Sequence, residues 1–238
     1  MIRPASCWRK RGVRADTHEG ELTIAATVLA QLPLAGRLLT GDAQYCQRTL
    51  CQQVVERGGD YLVTVKENQP DLFGEIALLF DQPPPGEVFA TAVQYDKGHG
   101  RLEVRRLWAS DALAGYLDWP GVKGVCKVER RCSQRGKVSI EVRYAITSLS
   151  AAVGADHLLV AKRGHWSIEN RVHYVRDVSM GEDASRIRTG AAPEVMAALR
   201  NVLLALLRQA GWANIAAGLR HYGWRPADAP RLLGISIP

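Results

Sequence analysis

No run of apolar residues in this 238-residue chain approaches the ~18 that would carry a helix across a bilayer. The basic opening, Met1 to Asp16, has no apolar stretch behind it and so does not read as a secretory signal peptide. Cysteine is sparse and odd in number: Cys7, Cys46, Cys51, Cys126 and Cys132. None of their spacings is C-x-x-C, which removes the main signal for structural zinc and leaves reduced thiols of a cytoplasmic protein as the expectation. A phosphate-cradling G-x-x-x-x-G-K-[ST] loop and a G-x-S-x-G nucleophile elbow are both missing, so nucleotide hydrolysis and serine-hydrolase chemistry have no support. There is no internal repeat and no low-complexity tract.

What remains is the composition of a globular protein, with 47% hydrophobic and 23% charged residues in a length that suits one domain or a domain with an insertion. Its charge is the first positive clue. Thirty-one Lys and Arg against 24 Asp and Glu leave +7, and only 7 of the basic residues are Lys. Arginine forms the better fork for phosphate oxygens. Residues 162–238 hold 11 basic and 6 acidic residues, whereas 1–161 hold 20 and 18. A basic final third is compatible with a polyanionic partner, though many soluble proteins carry such charge without binding nucleic acid.

Residues 1–20 show no hydrophobic period and read as an irregular arm. Over 21–85 the chain alternates: a helix through Leu22, Ala25, Val28, Leu29 and Leu32 stopped by Pro33, a strand over 37–40, a helix over 44–57, a strand over 60–66 and a short helix over 71–80. This is the order of an α/β sheet. Pro83-Pro84-Pro85 then punctuates the chain, and 86–149 carries two pairs of strand-like segments about the turns at 96–100 and 134–136. It reads as a mostly β insertion. From 150 to 238 helical spacing returns, over 155–176 and again from Pro193 to Gly211.

Three places could carry chemistry. Asp42 follows an apolar strand, where carboxylates of α/β sheets point into the ligand crevice, but an Asp there also serves as a helix N-cap. Gly164-His-Trp-Ser-Ile-Glu-Asn170 lies in the 155–176 helix, whose spacing puts Lys162, His165, His173 and Arg176 along the side carrying Glu169. That pattern suits a carboxylate binding a divalent cation among phosphate-holding neighbours, or simply a solvated charged face. His165 and His173 are eight apart, unlike the i,i+4 pair of a helical zinc site. Finally, Arg186, Arg188 and Arg200 are candidate phosphate contacts, while the nearby Glu182 and Asp183 could belong to the metal site or, as favoured here, cap the following turn.

Taken in order, Leu39-Thr-Gly-Asp42-Ala-Gln-Tyr-Cys-Gln47, Gly58-Gly-Asp-Tyr-Leu-Val-Thr-Val-Lys66-Glu-Asn-Gln-Pro70, Arg163-Gly-His-Trp-Ser-Ile-Glu169-Asn-Arg-Val-His173-Tyr-Val-Arg-Asp177, Gly181-Glu-Asp183 and Leu199-Arg-Asn201 resemble insertion-sequence transposases of the ISAs type. These are the H-repeat-associated proteins of the DDE superfamily. The resemblance runs from about residue 20 to the end. It implies a ribonuclease-H-like α/β core, incomplete at the N-terminus, with its first part over 21–85, the insertion over 86–149 and its helical remainder over 150–238. Asp42 and Glu169 would be the second and third carboxylates of the triad, serving as catalytic residues and as ligands of Mg²⁺ or Mn²⁺. Lys66, His165, Arg171, Arg176, Arg186 and Arg188 are the DNA-contact candidates. Double-stranded DNA, as element ends and target, is the implied partner, with a homo-oligomer also open, no membrane, and a location in the bacterial cytoplasm at the nucleoid.

The chain departs from the family at two points. The first aspartate belongs to an Asp-Gly-Lys segment that does not occur here; Asp16, Glu19 and Glu21 are the carboxylates before Asp42 and do not match it. The expectation is therefore an N-terminally truncated copy, inactive on its own. Related transposases also place Tyr and Arg before the glutamate and Lys after it, positions held here by Lys162, His165 and Arg176. Three readings follow: a transposase acting by metal-dependent phosphoryl transfer, a truncated copy that binds DNA without cutting it, and a product too incomplete to fold stably.

Overall fold

A computed structural model describes residues 21–98, 100–168 and 172–235, which form two compact bodies, one ending at His165 and the other beginning at Trp166. The first is a mixed α/β unit. Helix α1 (Glu21–Gln31) precedes strand β1 (Leu38–Gly41), helix α2 (Arg48–Glu56), strand β2 (Asp60–Val65) and helix α3 (Pro70–Asp81). Four long strands follow, β3 (Ala90–Gly98), β4 (Arg101–Ser110), β5 (Gly124–Gln134) and β6 (Lys137–Thr147), and then helix α4 (Ala155–Ile168). The sequence boundaries agree to within a few residues except at α2, which begins at Arg48 because a separate 3₁₀ turn takes up Ala43–Tyr45.

All six strands share one sheet in the order β1-β2-β6-β5-β4-β3, with β1 and β2 parallel and every other pair antiparallel. Residues 86–149 therefore continue the α/β sheet through the β2–β6 pairing, rather than standing on it as a separate layer. Strand alternation sends Leu62, Ala92, Leu107, Ala109, Cys126 and Ala145 to the face covered by Ala155, Leu158 and Leu159 of α4. Tyr61, Val63, Val65, Tyr144 and Ile146 point the other way, against Leu50, Cys51 and Val54 of α2 and Leu72, Ile76 and Leu79 of α3. Buried on both faces, β2 reads as the near-continuous apolar run Tyr61-Leu-Val-Thr-Val65.

One long-range cross-link fastens the sheet centre. Ser148 Oγ donates to Asp60 and accepts from the Tyr61 amide, while Thr147 Oγ1 donates to the Tyr61 carbonyl at 2.7 Å. Further out, Glu103 is almost fully buried on β4 and is held by Arg101, Arg105 and Arg130. A buried carboxylate needs such pairing to stay charged.

The second body is helical. Helices α5 (Ala192–Gln209) and α6 (Ile215–Trp224) and the short α7 (Ala229–Leu232) follow a π-helical turn at Val175–Ser179. Leu204 and Leu207 of α5 and Ile215 of α6 are its buried centre, packed by Trp212, Leu219 and Tyr222. Gly218 lies so close to the Trp212 ring that a β-carbon there would sit 3.0 Å from it. The helix read from sequence over 155–176 is observed as α4 to Ile168 and π-helical geometry from 175.

Candidate functional site

The carboxyl ends of β1 and β2 lie side by side because the two strands are parallel, with Thr40 opposite Leu62 and Gly41 opposite Val63. Asp42 leaves the end of β1. Its Oδ1 accepts from the Gln44 amide at 3.0 Å, so it caps the 3₁₀ turn while its side chain stays exposed at the strand end. The capping expectation is thus met, at a 3₁₀ turn that follows the strand directly. Lys66, one residue beyond β2, is exposed at this same end.

Two threonines prepare the ground beside Asp42. Thr40 and Thr64 point to the α4 side of the sheet, each a hydroxyl among apolar neighbours in its strand. Thr40 Oγ1 meets His165 Nδ1 at 3.3 Å. Thr64 Oγ1 donates to the Gly41 carbonyl at 3.4 Å and accepts from Lys162 Nζ. The last turns of α4 are thereby tied to the strand ends by Lys162 and His165, three apart on one helix face. Burial pushes the Lys162 ammonium down to about 8, against partial support from the charge of Asp42. The same burial raises the Cys126 and Cys46 thiols nearby to about 12, so both are inert core groups.

The threonines were not among the residues singled out from sequence. A Thr inside Leu-Leu-Thr-Gly and Tyr-Leu-Val-Thr-Val was the available signal, since a hydroxyl in a buried strand has to find a partner. Glu169 and Arg171 lie outside the described residues. Arg176 does not fit the surface role read for it. It is 2% exposed, and its guanidinium is held by Glu182 in a two-pronged ion pair of the second body. Glu182, read as a turn cap, is instead this partner. Arg186 and Arg188 are exposed on the loop after it.

A divalent cation of the Mg²⁺ type takes hard oxygen ligands, usually one or two carboxylates with waters. Among the described residues no group of three or more His, Cys, Asp or Glu comes together that could hold a metal ion, and Asp42 stands at the end of β1. On these residues alone a metal site is not complete. No helix among them is long and apolar enough to cross a membrane.

Comparison with known proteins agrees with this arrangement. Residues 12–207 match the family described as Transposase DDE domain. YbfL of Escherichia coli (strain K12) is 31% identical over 211 residues, covering 82% of this chain and 53% of that protein. The H repeat-associated protein YhhI of the same strain is 30% identical over 211 residues, with the same two shares. A protein from the dhlA 3′ region of Xanthobacter autotrophicus is 37% identical over 145 residues, 58% of this chain and 48% of the relative. The chain spans about half the length of the curated relatives it matches. With a mixed α/β sheet, an aspartate at the end of its first parallel strand and this match over most of its length, the chain belongs to the DDE transposase domain family.

Proposed function

We propose that this chain carries the strand-cutting and strand-joining chemistry of an insertion-sequence transposase, on a ribonuclease-H-like core, with Asp42 and Glu169 as its acting carboxylates. The observation that supports it most directly is the placement of Asp42 at the end of β1, beside the Thr64–Lys162 and Thr40–His165 links. A strand end held by side-chain bonds on a helix keeps a carboxylate in a fixed position, as phosphoryl transfer needs. The reading brings Mg²⁺ or Mn²⁺ with it, held by Asp42 and Glu169, where it would supply Lewis-acid activation at phosphorus. The chain's own contribution is to fix Asp42 through its cap to Gln44 and to hold a positive charge, Lys162, close behind it.

Duplex DNA is the substrate in this reading. Lys66, Arg171, Arg186 and Arg188 are proposed as backbone contacts, with His165 contributing at the strand ends, while Arg176 is reassigned to structure. A second reading, binding without cleavage, is favoured by the lack of any group of three or more His, Cys, Asp or Glu side chains that could hold a metal ion among the described residues.

Nicking of duplexes carrying the element's ends, in Mg²⁺ or Mn²⁺, separates the two. Asp42→Asn keeps the capping oxygen and removes the charge, so loss of function in it cannot be blamed on the turn. Activity in the unaltered chain, falling about a thousandfold or more in both Asp42→Asn and Glu169→Gln, is the expected result. Binding without nicking in all three proteins would establish the second reading, and nicking that survives both substitutions would end the first.

A further inference from the structure

The loop that joins β2 to α3 carries two amide side chains, Asn68 and Gln69, directly before Pro70 opens the helix. Asparagine is among the best helix N-caps, but the cap position of α3 is held by Gln69, which makes no side-chain capping bond. Pro70 has no N–H to satisfy, which eases the helix start. Both amides instead reach the turn that follows Asp42. Asn68 Nδ2 donates to the Ala43 carbonyl at 2.9 Å, and Gln69 Nε2 donates to the Cys46 carbonyl at 3.0 Å. A carbonyl only accepts, so in each case the NH₂ end of the amide faces it. The parallel pairing of β1 and β2 permits this reach, because it brings both loops out at the same end of the sheet.

We infer that Asn68 is a positioning residue for Asp42, acting through the single peptide unit between Ala43 and Gln44. That unit is held on both sides: its carbonyl accepts from Asn68, and its N–H donates to Asp42 Oδ1 at 3.0 Å. A peptide is planar, so a bond that fixes the carbonyl also fixes the direction of the N–H opposite it. Without Asn68 the carbonyl keeps the 3.2 Å bond from the Cys46 amide, inside the turn itself, and loses its tie to the β2–α3 loop. Bonds linked in such a chain polarise one another, which strengthens the hold on the carboxylate. Ala43 is buried whereas Asp42 is exposed, so the clamp grips the covered residue of the turn and leaves the carboxylate open to a ligand. Gln69 takes the far end of the turn, at Cys46, and does not touch the peptide that Asp42 accepts from. This role rests on the reading of Asp42 as an acting carboxylate. Groups that hydrogen-bond around such a carboxylate set its orientation, and their loss costs about tenfold to a hundredfold in activity.

Amide hydrogen exchange of the full chain, read by NMR, and nicking of duplex DNA in Mn²⁺ test this role together. Asn68→Ala should speed exchange of the Gln44 amide about fivefold to tenfold, the weight of one hydrogen bond. The Phe73 amide, bonded to the Gln69 carbonyl at the start of α3, should exchange as before. In nicking, Asn68→Ala should lower kcat about tenfold to a hundredfold at unchanged KM for the duplex, a split that general loosening of the fold does not give. Gln69→Ala removes a bond of the same kind at the far end of the turn and should leave Gln44 exchange and kcat near the parent values. Equal losses of kcat in Asn68→Ala and Gln69→Ala would reduce both residues to structural supports and overturn the assignment. An unchanged exchange rate at Gln44 would overturn it too, as would parental kcat in Asn68→Ala while Asp42→Asn is inactive. Nicking that is absent from the unaltered chain, or that survives Asp42→Asn, ends the reading of Asp42 itself and the role of Asn68 with it. The Asp42→Asn arm thus tells that failure from the others.

Discussion

Lys162 concentrates the tension of the site in one side chain. Its ammonium is partly desolvated between α4 and the sheet, with Thr64 accepting its hydrogen bond and Arg143 adding repulsion against the attraction of Asp42. A lysine held at about 8 when folded, against 10.5 ordinarily, binds its proton less tightly in the folded chain than in the unfolded one. Below pH 8 both states are charged and the folded state bears the full desolvation cost. Between about 8 and 10.5 the unfolded chain holds the proton that the folded chain has released, so this group's contribution becomes less unfavourable as pH rises. Lys162→Met should therefore raise the Tm at pH 7, and the gain should shrink steadily toward pH 10.5 in thermal scans. If the variant melts lower than the parent at pH 7, the Thr64 and Asp42 interactions outweigh the desolvation.

At the scale of elements, close approach between α2 and its neighbours is set by glycine. Gly58, at a φ of 72°, turns the chain out of the helix, and Gly59 follows so near to the 33–37 segment that a β-carbon would stand 2.9 Å from the Leu34 carbonyl oxygen. Backbone cannot step aside as a flexible side chain can, so Gly59→Ala should cost about 1–3 kcal/mol, measurable in urea unfolding at unchanged m-value. The pair Gly58-Gly59 was readable in the sequence as a helix stop, but the contact with residue 34 was not, because it depends on how β1 and β2 come together. The strands themselves were legible from alternation and turn residues. Their assembly was not: nothing in a period of two states that β6 chooses β2 as its neighbour and so merges the β-rich stretch with the α/β sheet.

For the molecule as a whole, a charge of +7 weighted toward the last third makes any DNA binding strongly dependent on salt. Arg186 and Arg188, exposed on the loop after the Arg176–Glu182 pair, are the contacts to remove first. Replacing both with Gln should flatten the slope of log K against log salt by about 2, roughly one unit per phosphate contact, in fluorescence anisotropy from 50 to 200 mM. Replacing Arg176 should act differently, by lowering the stability of its helical body, since it leaves Glu182 without its partner.

Composition, motif order and charge determined by themselves that this is a globular, basic member of the DDE transposase domain family, and that Asp42 follows a strand, because these depend on local chemistry along the chain. The tertiary structure alone decided that Thr40 and Thr64 meet His165 and Lys162 across intervals of 125 and 98 residues. It alone turned Arg176 from a surface candidate into a buried partner of Glu182. The reason is the same in each case. Periodicity tells which side of an element a residue occupies, whereas burial and pairing depend on what the rest of the chain brings to that side.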